Sequence, residues 1–263
     1  MTPRRIAPRT IDASSAEEAR KAPHPSAGPE AGSGIAGRET ASENTGSATG
    51  SPAYGETLTR QAAGQPKGAR TRAHIMSTAC TLLDSVTPQD LTVSRICAAA
   101  GIAHGTFYIH FADKTVLLAE LLDGFVAHVQ VAMRRAGRAG PTDPVRAATA
   151  AYAALFAHNR GLMRCLIHHL DGFPDARAAF HDLNRAWVET VVVATRRRLA
   201  RAGRADAIAD AELYRRAYAL GGMVDQYFAS LYLSGDPGLE AVSRDPDAVI
   251  ETLSLIWDRG MKP

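Results

Sequence analysis

The stretch from Leu91 to Phe111, LTVSRICAAAGIAHGTFYIHF, constrains this chain more than any other. Two short apolar-periodic segments meet there at Gly101. Thr92 can cap a helix whose Val93, Ile96, Cys97 and Ala100 turn inward, and Gly101 stops it with a residue that tolerates positive φ. A second short helix is predicted from about Ala103 to Ile109. Asp113 then caps a long helix, reaching to about Gly137, that carries Val116, Leu117, Leu121, Leu122, Phe125 and Val129 at helical spacing. Upstream, Ile75, Ala79, Leu82, Leu83 and Val86 form the stripe of another helix. It ends at Val86-Thr87-Pro88, because the residue before a proline is driven out of helical geometry.

A short helix, a glycine-containing turn and a second short helix make the pattern of a helix-turn-helix, whose second helix enters the DNA major groove. The residue types suit that task. Val93, Ile96, Ala100, Ile102 and Phe107 supply a small core that fixes the angle between the helices. Ala103, His104, Gly105 and Thr106 fall at the groove-facing end. Gly105 lets a backbone approach, His104 can donate or accept, and Thr106 offers a hydroxyl and a methyl to base edges. Tyr108, His110 and Lys114 can hydrogen-bond phosphates.

At these residues the sequence resembles the tetracycline-repressor (TetR) family of transcriptional regulators. The likeness is strongest from Arg72 to Leu122 and rests on the string AAGIAHGTFYIHFADKTVLL. By position, Thr92 to Ala99 matches the family's second helix, Ala103 to Ile109 its recognition helix, and Lys114 a phosphate contact at the start of its fourth. The resemblance implies an all-α homodimer with an N-terminal DNA-binding domain and a C-terminal domain that binds a small ligand and dimerises. Two positions depart from the family. Ala103 stands where Ser or Thr is usual, so the recognition helix lacks a side-chain cap of typically about 1 kcal/mol. His104 stands where Lys or Arg is frequent, which removes a cation from the groove face. Arg60 to Lys114 carries six cations against three anions, which makes Lys67, Arg70 and Arg72 candidates for phosphate or minor-groove contacts.

Composition changes near residue 70. Residues 1–68 are rich in Pro, Gly, Ser, Ala and Thr, have Tyr54 as their one aromatic, and show no helical or strand period. Such a segment is expected to be a disordered tail. The domain division is therefore 1–68 tail, 69–115 DNA-binding domain and 116–263 ligand-binding and dimerisation domain. The net charge of +3 does not by itself announce a nucleic-acid binder. Cys80, Cys97 and Cys165 lie far apart, with no C-x-x-C pair, so neither a disulfide framework nor a thiolate zinc site is expected. Uninterrupted apolar runs such as Ala150 to Ala157 are shorter than the roughly 18 residues of a membrane span. No secretory signal opens the chain, and a cytoplasmic location is expected.

Beyond Gly140 helices are predicted over about 142–157, 161–169, 175–202, 209–233 and 245–259, with no strand period competing. The segment 209–233 is apolar on more than one side, so it is either central or covered by a partner subunit. With 245–259 it is the expected dimer interface. Tyr152, Phe156, Met163, His168, Trp187, Val191 and Met223 are candidates for a ligand pocket between helices. His158, His168, His169, Asp171 and His181 match no metal-binding spacing, and adjacent histidines on a helix point about 100° apart, so no metal or other cofactor is expected. Arg196 to Arg198 reads as a solvated helix end. No nucleophile elbow or phosphate loop is present.

The expectation is a non-enzymatic, sequence-specific regulator, a repressor released from a near-palindromic DNA operator by a small-molecule effector. Two alternatives stay open: a ligand-independent DNA-binding or architectural protein, and an all-α enzyme or metal sensor built on the histidines.

Overall fold

Local punctuation decides where each helix begins and stops. Three helices open on Asp-Pro, with the aspartate capping and the proline in the first turn, where its missing N–H costs nothing. Thr92 accepts the Arg95 backbone N–H at 3.2 Å, and one Asp113 carboxylate oxygen accepts those of Thr115 and Val116 at 2.7 and 2.9 Å. Gly101 ends its helix at φ 64°, the left-handed geometry that favours glycine.

The computed structural model describes residues 53–140 and 143–263, and every regular element among them is helical. In chain order these are α1 (Tyr54–Ala62), α2 (Lys67–Leu83), α3 (Val93–Ala100), α4 (His104–His110), α5 (Lys114–Ala139) and α6 (Pro144–His158). Then come α7 (Arg160–His168), α8 (Pro174–Arg201), α9 (Asp210–Phe228), α10 (Pro237–Val242) and α11 (Pro246–Gly260). A 3₁₀ turn, Leu170–Gly172, precedes α8, and a π-helical turn, Ala229–Ser234, extends α9. The helix predicted over 209–233 is thus present, with its last turn widened.

Two helices were not expected. α10 follows Asp236-Pro237, the same opening as α6 and α11. α1 overturns the expectation of a disordered segment through residue 68 for the part from Tyr54 onward; residues 1–52 lie outside the described ones. The physical reason is tertiary. Tyr54 is buried with its ring 5.5 Å from that of Phe125 and 5.2 Å from that of His128, centroid to centroid. Its backbone N–H donates to Asn159 Oδ1 at 2.7 Å, and α1 lies along α2. These partners are far away in sequence, so no local period reveals them.

α5 is the axis of the described unit. By length and composition it could cross a membrane, but Leu117, Leu121, Leu122 and Phe125 are fully buried and it packs against α6 and α8, as a core helix does. α11 packs on α6 and α9, and α8 on α9. Arg196 and Arg198 are ion-paired rather than merely solvated. Arg196 binds Asp210, while Arg198 donates to Asp258 and to the Met261 carbonyl.

The end of α2 and the start of α7 meet backbone to backbone. A Cβ on Gly161, at the start of α7, would lie 2.3 Å from the Leu83 carbonyl carbon, so only glycine allows this approach. The Gly161 N–H donates to Asp84 Oδ1 at 2.8 Å, and Arg164 reaches the Leu83 carbonyl at 3.4 Å.

Candidate nucleic-acid interface and ligand cavity

Helix α4 has two faces of opposite character. Phe107 is fully buried, edge-on to the Tyr108 ring and 5.7 Å from that of Phe111, with Ile96 and Leu91 fully buried in the same core. Val93 and Ile102 pack on that core partly buried, and Ala100 is buried. The other face is open: His104, Gly105, Tyr108 and Ile109 are exposed, Ile109 at 80%. An exposed tyrosine beside an exposed isoleucine on a two-turn helix leaves apolar surface with no partner among the described residues.

The other candidate residues fall into place around it. Thr92 caps α3 and remains exposed. Ala103 sits at the N-cap of α4 in extended geometry, with no side-chain cap. His104 Nε2 is 3.1 Å from the Ser94 hydroxyl, which holds the imidazole across the gap between α3 and α4. A Cβ on Gly105 would meet nothing, so this edge is clear for an approaching backbone. Thr106 and His110 are half-buried, His110 near Gly68 at the start of α2.

Among the cations, roles divide. Lys114 Nζ donates to the Pro88 and Gln89 carbonyls at 3.0 and 3.1 Å, tying the turn before α3 to the start of α5. Arg72 pairs with Glu120 and lies 4.6 Å over the Phe111 ring, so it already braces the head internally. Lys67 and Arg70 are exposed on the first turn of α2. Ile109 and the Ser94 brace escaped notice in the sequence, although Ile109, one residue past Tyr108, was legible as an apolar residue on a helix whose core face is already taken by Phe107.

The second feature is a cavity of about 230 Å³ lined by residues of α5, α6, α8, α9 and α11 and open to solvent on one side near the exposed Tyr218. Of the pocket candidates, Tyr152 and Trp187 line it. Phe156, Met163 and Val191 are buried in the core, Met223 is half-buried against it, and His168 is exposed at the end of α7; none of these five lines the cavity. Asp225 on α9 was missed. Its carboxylate accepts the Tyr152 hydroxyl at 2.8 Å, and burial raises its pKa above the ordinary carboxylate range, against the lowering effect of that hydrogen bond. Tyr152 is also pushed well up, first by burial and then by Asp225. An aspartate in an otherwise apolar stripe was the available signal.

The histidines do not converge. His158 Nδ1 bonds the Ala154 carbonyl, His168 and His181 are exposed, and Asp171 pairs with Arg177. Among the described residues no three His, Cys, Asp or Glu side chains gather to hold a metal ion. Burial pushes the Cys165 thiol up to about 12, so little of the reactive thiolate exists at neutral pH.

A helix braced on its buried face and bare on the other, behind a glycine-stopped partner helix, defines a helix-turn-helix DNA-binding regulator. Residues 75–121 match the family described as bacterial regulatory proteins, tetR family. The chain is 24% identical over 196 residues to the HTH-type transcriptional regulator EthR of Mycolicibacterium smegmatis, covering 73% of this chain and 87% of that one. In fold it is similar to the fatty acid degradation regulator FadR of Bacillus halodurans, with a TM-score of 0.55 at 13% identity over 71% of this chain and 94% of that one. A transcriptional regulator from Pseudomonas aeruginosa PAO1 aligns with a TM-score of 0.52 at 17% identity, covering 74% of this chain and 97% of that one. The chain is thus similar to DNA-binding transcriptional regulators, and its match to the tetR family lies on the helix-turn-helix segment, residues 75–121.

Proposed function

We propose that the protein is a homodimeric cytoplasmic repressor, without enzymatic activity, whose paired α4 helices hold a near-palindromic operator until a small molecule enters the cavity. The observation that carries this reading is the bare face of α4, with His104, Gly105, Tyr108 and Ile109 exposed over a fully buried Phe107. In this reading Thr106 and His104 contact base edges. Tyr108, His110 and Arg70 grip phosphates, with Lys114 and Arg72 holding the head in shape beside them. The functional division is a head ending near residue 115 and an effector half beyond it.

Dimerisation through α9 and α11 is supported by exposed Tyr218, Leu255 and Ile256 on those helices. Two heads related by a two-fold axis would meet half-sites about one DNA turn apart, roughly 34–36 Å. The cavity reaches the helix that could move the heads. Met133 on α5 lines it, and α5 carries the head at its other end. A ligand that fits one arrangement of α5 better than the other shifts the population by no more than its differential affinity. The existence of the cavity favours this reading over a ligand-independent architectural role.

The test is selection of duplexes from a random pool by the full chain. Enrichment of an inverted repeat with half-site centres about one turn apart is expected. Recovery of DNA with no shared sequence would contradict the proposal.

A further inference from the structure

Asp225 is the only carboxylate among the residues that line the cavity, and no Lys, Arg or His lines it. It takes part in no ion pair among the described residues. Its one side-chain hydrogen bond there comes from Tyr152. A carboxylate has about four acceptor positions, so one hydrogen bond leaves this half-buried acid with capacity to spare towards the cavity. Around it the wall is aromatic: Tyr152, Trp187, Tyr218 and Trp257 all contribute. Indole and phenol faces attract cations, most strongly when water is excluded, and aromatic cages recognise quaternary ammonium groups in this way.

We propose that the cavity takes an organic cation, a quaternary or protonated amine on an apolar body, with its charged nitrogen against the Asp225 carboxylate and the surrounding aromatic faces. This rests on the reading of the cavity as the effector site. An anionic ligand would meet Asp225 with no countercharge in the wall, and a neutral one would leave the acid unpaired. Size narrows the class further. An apolar cavity of about 150 Å³ holds benzene, so a volume of about 230 Å³ suits one ring with a small head group. Gly221, on the α9 wall, contributes to that space, since a Cβ there would meet nothing within 4 Å.

The chain has two tryptophans, Trp187 and Trp257, and both line the cavity, so intrinsic fluorescence of the full chain reads its occupancy. The probes are benzyltrimethylammonium, its uncharged carbon isostere neopentylbenzene, and phenylacetate. The cation is expected to bind saturably and at least tenfold more tightly than the isostere, with phenylacetate weakest. Asp225→Asn keeps the shape and the acceptor for Tyr152 and should erase the preference. Thermal shifts of the unmutated protein with cation and isostere give the same ranking without relying on the variant. Equal or tighter binding of the isostere, or a preference that survives in Asp225→Asn, would overturn the proposal while leaving an effector cavity in place. If no probe changes the fluorescence or the melting temperature, the cation proposal and the effector-site reading fall together. Neither result bears on operator selection, which is read separately.

Discussion

The proposed reading head and the proposed effector half are built on different scales of sequence. In the head, Thr92, Gly101 and Asp113 set the helix limits locally, and the fully buried Ile96 and Phe107 and the buried Phe111 lie close together in sequence. In the effector half, the key pair, Tyr152 and Asp225, is 73 residues apart. The head must present a fixed surface to a duplex whose geometry does not change, so its local rules are tight. The cavity is what remains when five helices pack, and no short string encodes it. α5 runs through both, and the backbones approach each other most tightly where Gly161 meets Leu83.

Breaking the head should leave the effector half standing. Phe107→Ala removes a fully buried ring, a change that typically costs about 3–5 kcal/mol. DNA binding should be lost in a mobility-shift assay, whereas the tryptophan emission of the effector half should keep its folded maximum. Coincident loss of both signals would make the two regions one cooperative unit.

Striking the joint comes next in size. Gly161→Ala puts a methyl group into the Leu83 backbone, and overpacking of this kind costs about 1–3 kcal/mol. The melting temperature should fall by several degrees, and operator affinity should become less sensitive to whatever occupies the cavity. An unchanged melting temperature would mean that this approach is not tight in solution.

Ala103→Ser sharpens the contrast by restoring the cap the head lacks. The backbone at Ala103 is already extended and the Thr106 N–H donates to the Ala103 carbonyl at 3.0 Å, so a serine hydroxyl can accept from the Gly105 N–H, with an expected gain of about 0.5–2 kcal/mol in denaturant unfolding.

The smallest effect is confined to the cavity and depends on pH. Burial raises the Asp225 pKa in the fold, so folding favours its protonated form. The unmutated protein therefore has this contribution in full below the unfolded carboxylate pKa and loses it as pH rises through the folded value. Asp225→Asn should be the more stable protein at neutral pH, and the difference should shrink as the pH is lowered towards 4. Denaturation midpoints at the two pH values check the sign.

How much was legible follows the same division. The all-α class, the two helices around Gly101, the Thr92 and Asp113 caps and the long α5 could all be read from local pattern. α1 could not, because Tyr54, Leu58 and Ala62 make a thin stripe and the burial of Tyr54 depends on Phe125, His128 and Asn159. α10 carried a readable Asp-Pro start but spans only six residues, too few for a period. The pocket candidates were chosen by size and apolarity, which also describe the core; only Tyr152 and Trp187 proved to face the cavity. Arg72 and Lys114 show the limit of charge as a guide, since their partners are a ring, a carboxylate and two carbonyls inside the protein.

The most direct measurement is equilibrium binding at physiological salt to the selected duplex and to a scrambled duplex of equal length, for the unmutated protein, Tyr108→Ala and Thr106→Ala. If α4 reads the groove, the unmutated protein prefers the selected duplex strongly. Tyr108→Ala then weakens binding to both duplexes alike, and Thr106→Ala relaxes discrimination at one base position, by about 1–3 kcal/mol. If both variants bind and discriminate as the unmutated protein does, α4 is not the recognition helix and the account is wrong at its centre.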